Sequence, residues 1–367
     1  MENPFKFSGI VEAPAFCNRQ NEQREIKQYI ENSQNVLLYS HRRYGKSSLI
    51  LHIFRGLKNI TPVYIDLYGT TRTEEFIAAF LKGVSAIESQ LDRLMKTIRE
   101  AIRSIGVNFT VDPATGMPTA TPVFNKAAEG RTIDELFSFI QKLSKKKKMV
   151  IAFDEFQEVA TYGGDTFEKN LRRSIQMHDS VAYIFSGSQR HLLTDMFSDR
   201  KRAFYMLATS YPLGKIDTAD YKSWINDLYQ SAGRKIEDAF IEDVVDRCEN
   251  HPMYVQEFFF NLWMDENLTY ETLDMIERGV VEKRMAEYSY AWDALSLNQK
   301  RALKLIAGTA GKYIFSAENL DRYGFKTASQ VTAALKGIEN MGMVDKNTAW
   351  KVHDPFFKRW LLRGSQS

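Results

Sequence analysis

Apolar positions in this chain fall into two patterns: short continuous runs, and longer stretches with helical spacing. Residues 35–39, 149–153 and 181–185 are continuous runs of four or five apolar or small side chains, the pattern of strands buried on both faces of a parallel sheet. Residues 62–67 read as a further strand. Between them, residues 19–32, 48–54, 73–104 and 166–177 read as helices, with Phe76, Ile77, Phe80, Leu81 and Val84 on one face of the third. Strands and helices alternating in this order predict an α/β fold, a parallel sheet with helices on both faces. Residues 106–124 break the alternation. Val107 to Val111 has period two, Asp112-Pro113-Ala114-Thr115-Gly116 has turn chemistry, and Pro118 and Pro122 exclude a helix, which predicts an inserted hairpin.

Beyond residue 213 the pattern becomes helical. Residues 221–229 and 239–248 have helical periodicity, and Pro252 restarts a helix whose Phe258, Phe259, Leu262 and Trp263 read as core. Residues 297–307, 317–323 and 328–341 follow as three more helices. Residues 342–345 and 350–353 then predict a second hairpin, and Phe356, Phe357, Trp360 and Leu361 give the last segment an apolar docking face.

Composition narrows the class. The 367 residues leave room for two or three domains, and 44% hydrophobic with 26% charged residues is the balance of a soluble globular protein. Cys17 and Cys248 have no metal or redox spacing, six scattered His form no ligand cluster, and no apolar run is long enough to span a bilayer. A cytoplasmic protein with no membrane contact is expected. The net charge of +3 conceals a partition: residues 214–291 hold 8 Lys/Arg against 17 Asp/Glu, and residues 292–367 hold 12 against 6. An acidic middle between basic ends suggests three modules. The run Lys145 to Lys148 reads as a solvated helix end.

Between the apolar run 35–39 and the helix 48–54 lies Ser40-His41-Arg42-Arg43-Tyr44-Gly45-Lys46-Ser47-Ser48. Strand, loop and helix in this order, with Gly-Lys-Ser at the helix start, make a phosphate-binding loop, so the chain is expected to bind ATP or GTP. Backbone N–H groups surround the phosphates, Lys46 neutralises them, and Ser47 reaches Mg²⁺. Ser40 stands where the pattern has its first glycine. The strand 149–153 ends in Asp154-Glu155, which places Asp154 to hold Mg²⁺ and Glu155 to polarise the attacking water. Having both carboxylates favours hydrolysis over binding alone. Strand 181–185 ends in Ser186-Gly187-Ser188, where Ser186 and Ser188 are candidates for sensing the γ-phosphate, or simply for closing a turn. Arg190, Arg200 and Arg202 are candidates for an arginine reaching the γ-phosphate, against a role as solvated loop charges.

These residues resemble the archaeal and bacterial ATPases of the AAA+ superclass allied to the STAND signalling ATPases. The resemblance rests on Phe16-Cys17-Asn18-Arg19-Gln20-Asn21-Glu22, the phosphate loop, Asp154-Glu155-Phe156-Gln157, Ser186-Gly187-Ser188, Asn250-His251-Pro252-Met253-Tyr254-Val255-Gln256 and Asp354-Pro355-Phe356-Phe357-Lys358-Arg359-Trp360. The first box departs from the family in having Asn18 or Gln20 where an acidic residue is usual. The resemblance implies a P-loop ATPase core over 1–213, a helical lid over 214–291 and a winged helix over 292–367. It implies ATP or ADP with Mg²⁺, Arg19 beside the adenine, His251 and Pro252 approaching the phosphates, and His353, in Val352-His353-Asp354, touching the β-phosphate. His251 could equally cap or pack, and His353 with Asp354 could simply end the wing.

Two functions follow from these features. In one, the chain is a slowly hydrolysing ATP-operated switch that shows different surfaces to a protein partner of unknown identity. In the other, it is an ATP-dependent DNA-binding protein of initiator or loader type, reading DNA with Gln330, Thr332 and Lys336 on the third winged-helix helix. The hairpin at 106–124 could grip a partner or be a surface elaboration. The sequence leaves the oligomeric state open.

Overall fold

The structure, a computed structural model, describes residues 2–85, 107–111, 118–122, 129–265, 268–346 and 349–363. The chain divides into two compact units, Arg19–Gly214 and a second made of Met1–Asn18 with Lys215–Ser367.

The Arg19–Gly214 unit is built on a five-stranded sheet. Its strands are β1 (Val36–Tyr39), β2 (Thr61–Asp66), β5 (Met149–Asp154), β6 (Val181–Gly187) and β7 (Thr209–Pro212), in the order β2-β5-β6-β1-β7. Every pairing among them is parallel, with Leu38 opposite Ser186, Asp66 opposite Asp154 and Phe153 opposite Phe185. β5 and β6 are buried along their whole lengths, as their continuous apolar runs require. Aromatic rings fill one side of the sheet: Phe153 stacks against Tyr183 and Phe185 with centroids 6.2 Å away in each case, and Phe156 meets Phe185 at 4.7 Å. The expected hairpin is present as β3 (Val107–Val111) antiparallel to β4 (Pro118–Pro122). Of the helical stretch expected over 73–104, residues Thr73–Ser85 are helical; the remainder, and the turn between β3 and β4, lie outside the described residues. Lys145 to Lys148 follow the helix Glu129–Ser144 and are all exposed.

The other unit joins the helical segment and the winged helix around one apolar core. Its first eighteen residues, expected within a core spanning 1–213, group instead with the helices that begin at residue 218. The physical reason is Phe5, only 2% exposed, whose ring meets Trp224 at 5.3 Å, Phe259 at 5.4 Å and Trp263 at 5.8 Å. Gln256 secures the same segment, accepting from the Lys6 amide and donating to the Ala15 carbonyl. In the winged helix, helices Leu297–Thr309, Ala317–Arg322 and Ala328–Asn340 start on the hydroxyl caps Ser296, Ser316 and Thr327. The wing pairs Val344–Lys346 antiparallel with Trp350–Val352. Gly311, at φ +73°, cannot carry a side chain, because a Cβ there would stand 1.9 Å from the Trp350 carbonyl oxygen. The last helix, Pro355–Arg363, lays Phe356 against Tyr254 (4.4 Å) and Phe258 (5.4 Å), so the winged helix and the helical segment share their core.

Candidate active site

In the parallel sheet, strand β1 runs into the phosphate loop, and β5 and β6 end beside it. The loop turns through two residues in left-handed backbone, Arg43 (φ 65°) and Gly45 (φ 85°), and the helix Lys46–Arg55 starts immediately after Gly45. Ser40 is not one of the positive-φ residues, so no glycine conformation is required where the pattern's first glycine would be. Instead its hydroxyl and carbonyl, with the His41 carbonyl, accept from the Lys46 ammonium, each at 3.3 Å. Burial pushes the Lys46 pKa below its usual range, while the neighbouring Glu155 and Asp154 carboxylates pull it back up. Tyr44 and Ser48 are buried, and Arg42 and Arg43 are exposed.

The acidic pair lies across from this loop. Asp154, 4% exposed, accepts on Oδ2 from the Ser47 hydroxyl at 2.5 Å and from the Tyr64 hydroxyl. A hydroxyl and a carboxylate in direct contact form an all-oxygen donor set suited to a hard cation such as Mg²⁺. Burial, and next the Asp154 charge, push the Tyr64 phenol well above its ordinary value, so it serves as a proton donor to Asp154. The strand ends at Asp154 and the backbone turns left-handed at Glu155 (φ 52°). That turn brings the Glu155 carboxylate to the end of β6, where its Oε2 accepts from the Ser188 hydroxyl at 2.9 Å, the Ser188 amide at 3.3 Å and the Gln157 amide. Ser186, fully buried on β6, sits level with Leu38 on β1.

Three comparisons bear on this arrangement. Residues 286–363 match a family described as a probable winged helix domain. No curated protein matches the chain. Solved structures do: the Walker-type ATPase Paby2304 of Pyrococcus abyssi is similar over 98% of this chain and 99% of its own, with a TM-score of 0.68 at 18% identity. The Orc2 protein of Aeropyrum pernix, described in ADPNP–ADP complexes, is similar over 98% of each chain, with a TM-score of 0.59 at 12% identity. The chain has the fold of a Walker-type ATPase.

Within this ATPase fold, the remaining sequence candidates have definite places. Arg19, 3% exposed and in left-handed backbone, donates to the carbonyls of Tyr44 (3.1 Å) and Gly214 (2.9 Å) and pairs with Glu22 at 2.7 Å, which ties it to the back of the phosphate loop. Arg190 lies 2.7 Å from His41 Nε2, next to the loop. Arg202 is given to Glu168, a carboxylate only 5% exposed, at 2.5 Å. The structure therefore brings Arg190 to the phosphate loop, while Arg202 is engaged in an ion pair of its own.

In the other unit, Glu249 and Asn250 adopt left-handed backbone, and the Asn250 amide anchors the turn on the Ile216 carbonyl and the Thr218 hydroxyl, both at 3.0 Å. His251 is buried at the start of the helix Pro252–Trp263, with Pro252 at its first turn. Its ring lies 5.8 Å from that of His353, whose Nδ1 is 3.7 Å from Asp345 Oδ2. Asp354 is fully committed: Oδ1 caps the last helix through the amides of Phe356 and Phe357, and Oδ2 accepts from Tyr254 at 2.5 Å. On the third winged-helix helix, Gln330 accepts from the Lys326 amide and Thr332 donates to the Ala328 carbonyl, and both Thr332 and the cation Lys336 are exposed. Both cysteines are buried, and among the described residues no helix is long and apolar enough to cross a membrane.

Tyr64 is a site residue that no local sequence pattern reveals, while His41 and Gln157 lie inside the quoted motifs but have no role assigned to them there. Tyr64 lies 90 residues from the Asp154 it contacts, and its strand alone gives no sign of that partner.

Proposed function

We propose that the chain is an ATPase working as a slow nucleotide-operated switch of the AAA+/STAND kind. One observation carries this reading: Lys46 and Ser47, just past β1, and Asp154 and Glu155, at the end of β5, converge from the two parallel strands that flank β6, with Ser188 at the end of β6 fixing the Glu155 carboxylate. ATP phosphates suit the loop of residues 40–47, where backbone N–H groups and the Lys46 ammonium offset their charge. Mg²⁺ suits Ser47 and Asp154, and once bound it neutralises charge on the phosphate oxygens. Glu155 takes a proton from water as the water oxygen bonds to the γ-phosphorus. The bond from that phosphorus to the bridging oxygen breaks, its electron pair leaves with ADP, and phosphate is the second product. The A. pernix neighbour's ADPNP–ADP complexes support an adenine nucleotide.

The test is Glu155→Gln, which keeps a hydrogen-bonding group of the same shape but cannot take the proton. Mg-ATP binding should persist while turnover falls about 10²- to 10⁴-fold; equal turnover in variant and parent refutes the reading. Slow turnover by dilute protein, rising with concentration or partner, is the second expectation, with Arg190 as the candidate γ-phosphate contact. A contact of His251 and His353 with the nucleotide is the finest part of the reading. His353→Ala should then speed ADP release, and release at the parent's rate removes that part alone.

A DNA-binding role of initiator or loader type is the alternative, favoured by the winged helix match and the exposed Lys336. Neutralising Lys336 should then flatten the salt dependence of DNA affinity by about one unit of slope.

A further inference from the structure

Gln157 is a buried amide that the mechanism above leaves without a task. It is 2% exposed, three residues beyond the end of β5, in the short 3₁₀ helix Phe156–Thr161. Its Nε2 donates to Glu155 Oε2, and its Oε1 is buried without a hydrogen-bond partner among the described residues. Leaving one half of a buried amide unpaired is destabilising, so an ordinary core position would favour an apolar side chain of similar size. The chain also makes room for this amide elsewhere. At Gly187, on the neighbouring strand, a Cβ would stand 2.0 Å from Gln157 Oε1, although the backbone there is not in the left-handed region that favours glycine. A side chain at Gly187 would therefore displace the Gln157 amide, and would also stand 2.9 Å from Leu193 Cδ1.

From this arrangement we infer that Gln157 is a positioning residue for Glu155. Together with Ser188 it holds Oε2 of the carboxylate from two sides, the 3₁₀ turn and the end of β6, and Gly187 supplies the space the amide needs. With Oε2 occupied by three donors, Oε1 is the oxygen directed to accept the proton from water. A carboxylate fixed by two elements keeps one orientation; held by Ser188 alone, it can rotate about its own side-chain torsions. A general base displaced by about 1 Å can lose about 10²-fold in rate. This inference rests on the reading of Glu155 as the base, and the experiment separates the two.

The experiment is a double-mutant cycle in Mg-ATP hydrolysis by the full chain, with Glu155→Gln, Gln157→Leu and the pair together, and with Mg-ADP affinity measured for each. Gln157→Leu alone should lower kcat about 10- to 100-fold, with KM for ATP and Mg-ADP affinity within about twofold of the parent. In the Glu155→Gln background the same change should alter kcat by less than about twofold, because the group it positions is already disabled. Parent-like kcat for Gln157→Leu, or an equal loss in both backgrounds, overturns the inference. Unaltered turnover in Glu155→Gln alone overturns the proposed function instead. If Gln157→Leu does not fold, Gln157→Met, of similar length but without an N–H donor, is judged by the same criteria.

Discussion

Lys46 illustrates how much of the site a short motif carries. Its position in Gly-Lys-Ser identifies it, and the structure adds that it is buried beside two carboxylates whose charge opposes the depressing effect of burial on its pKa. Replacing it with alanine removes the cation proposed above to meet the phosphates, a charge-assisted set of hydrogen bonds worth about 1.5–3 kcal/mol. Mg-ATP affinity should fall about 10- to 100-fold by isothermal titration, and unchanged affinity refutes the assignment of the loop. Arg202 shows the opposite case. Sequence position alone makes it as good a γ-phosphate candidate as Arg190, because nothing local announces Glu168 as its partner. With Glu168 5% exposed and Arg202 29% exposed, Arg202→Ala leaves a buried carboxylate unpaired. We expect a loss of roughly 2 kcal/mol in urea unfolding, below that of a fully buried pair because Arg202 is partly screened. Unfolding at the parent's midpoint would make the ion pair energetically irrelevant and return Arg202 to the list of nucleotide contacts.

At the scale of elements, what could be read was whatever a local pattern determines. β5 and β6 are continuous apolar runs and were legible; β7, Thr209–Pro212, is an edge strand with three of its four residues exposed and offers no such run. The helix Arg190–Ser198 buries only Leu193, Met196 and Phe197, too few to mark a face, and it too is invisible to periodicity. The wing and last helix were legible, but the purpose of Asp354 was not. Its two oxygens join three elements: the cap of Pro355–Arg363, Tyr254 on the helix Pro252–Trp263, and Tyr288 on the helix Met285–Asp293, the last at 3.4 Å. Asp354→Ala should therefore cost about 2 kcal/mol, about 1 from the lost cap and the rest from the carboxylate acceptor that Tyr254 loses, which leaves its hydroxyl only the Tyr288 hydroxyl at 3.2 Å. Chemical denaturation would show it, and a change below about 0.5 kcal/mol would mean that the helix is held by Phe356 and Phe357 packing alone.

For the whole molecule, the feature that no local reading supplies is how many tyrosines the two cores bury. Burial pushes Tyr162 and Tyr229 up to about 12 from an ordinary 10.0. Tyr183 is pushed well above that value by burial alone, and Tyr254 and Tyr288 by burial and then by the Asp354 charge. These groups are phenols in the folded protein over a pH range in which the unfolded chain ionises them. Above pH 10 the folded state consequently binds more protons than the unfolded state, and stability must fall as pH rises. Their contribution is fully present below the unfolded value of 10.0 and is lost on the way to about 12 and beyond, at up to about 1.4 kcal/mol per pH unit for each retained proton. Several such groups acting together should convert a gradual titration into a cooperative one. In an alkaline titration, the exposed tyrosines should give an early rise in tyrosinate absorbance with circular dichroism unchanged, and the buried phenols a later rise that coincides with the loss of circular dichroism. In Tyr254→Phe, which has no proton to lose at that position, stability should decline less between neutral pH and the transition than in the parent. Smooth ionisation of all 17 tyrosines near pH 10 with circular dichroism unchanged would show that the buried phenols are reached by solvent without unfolding, and the linkage argument would fail with them.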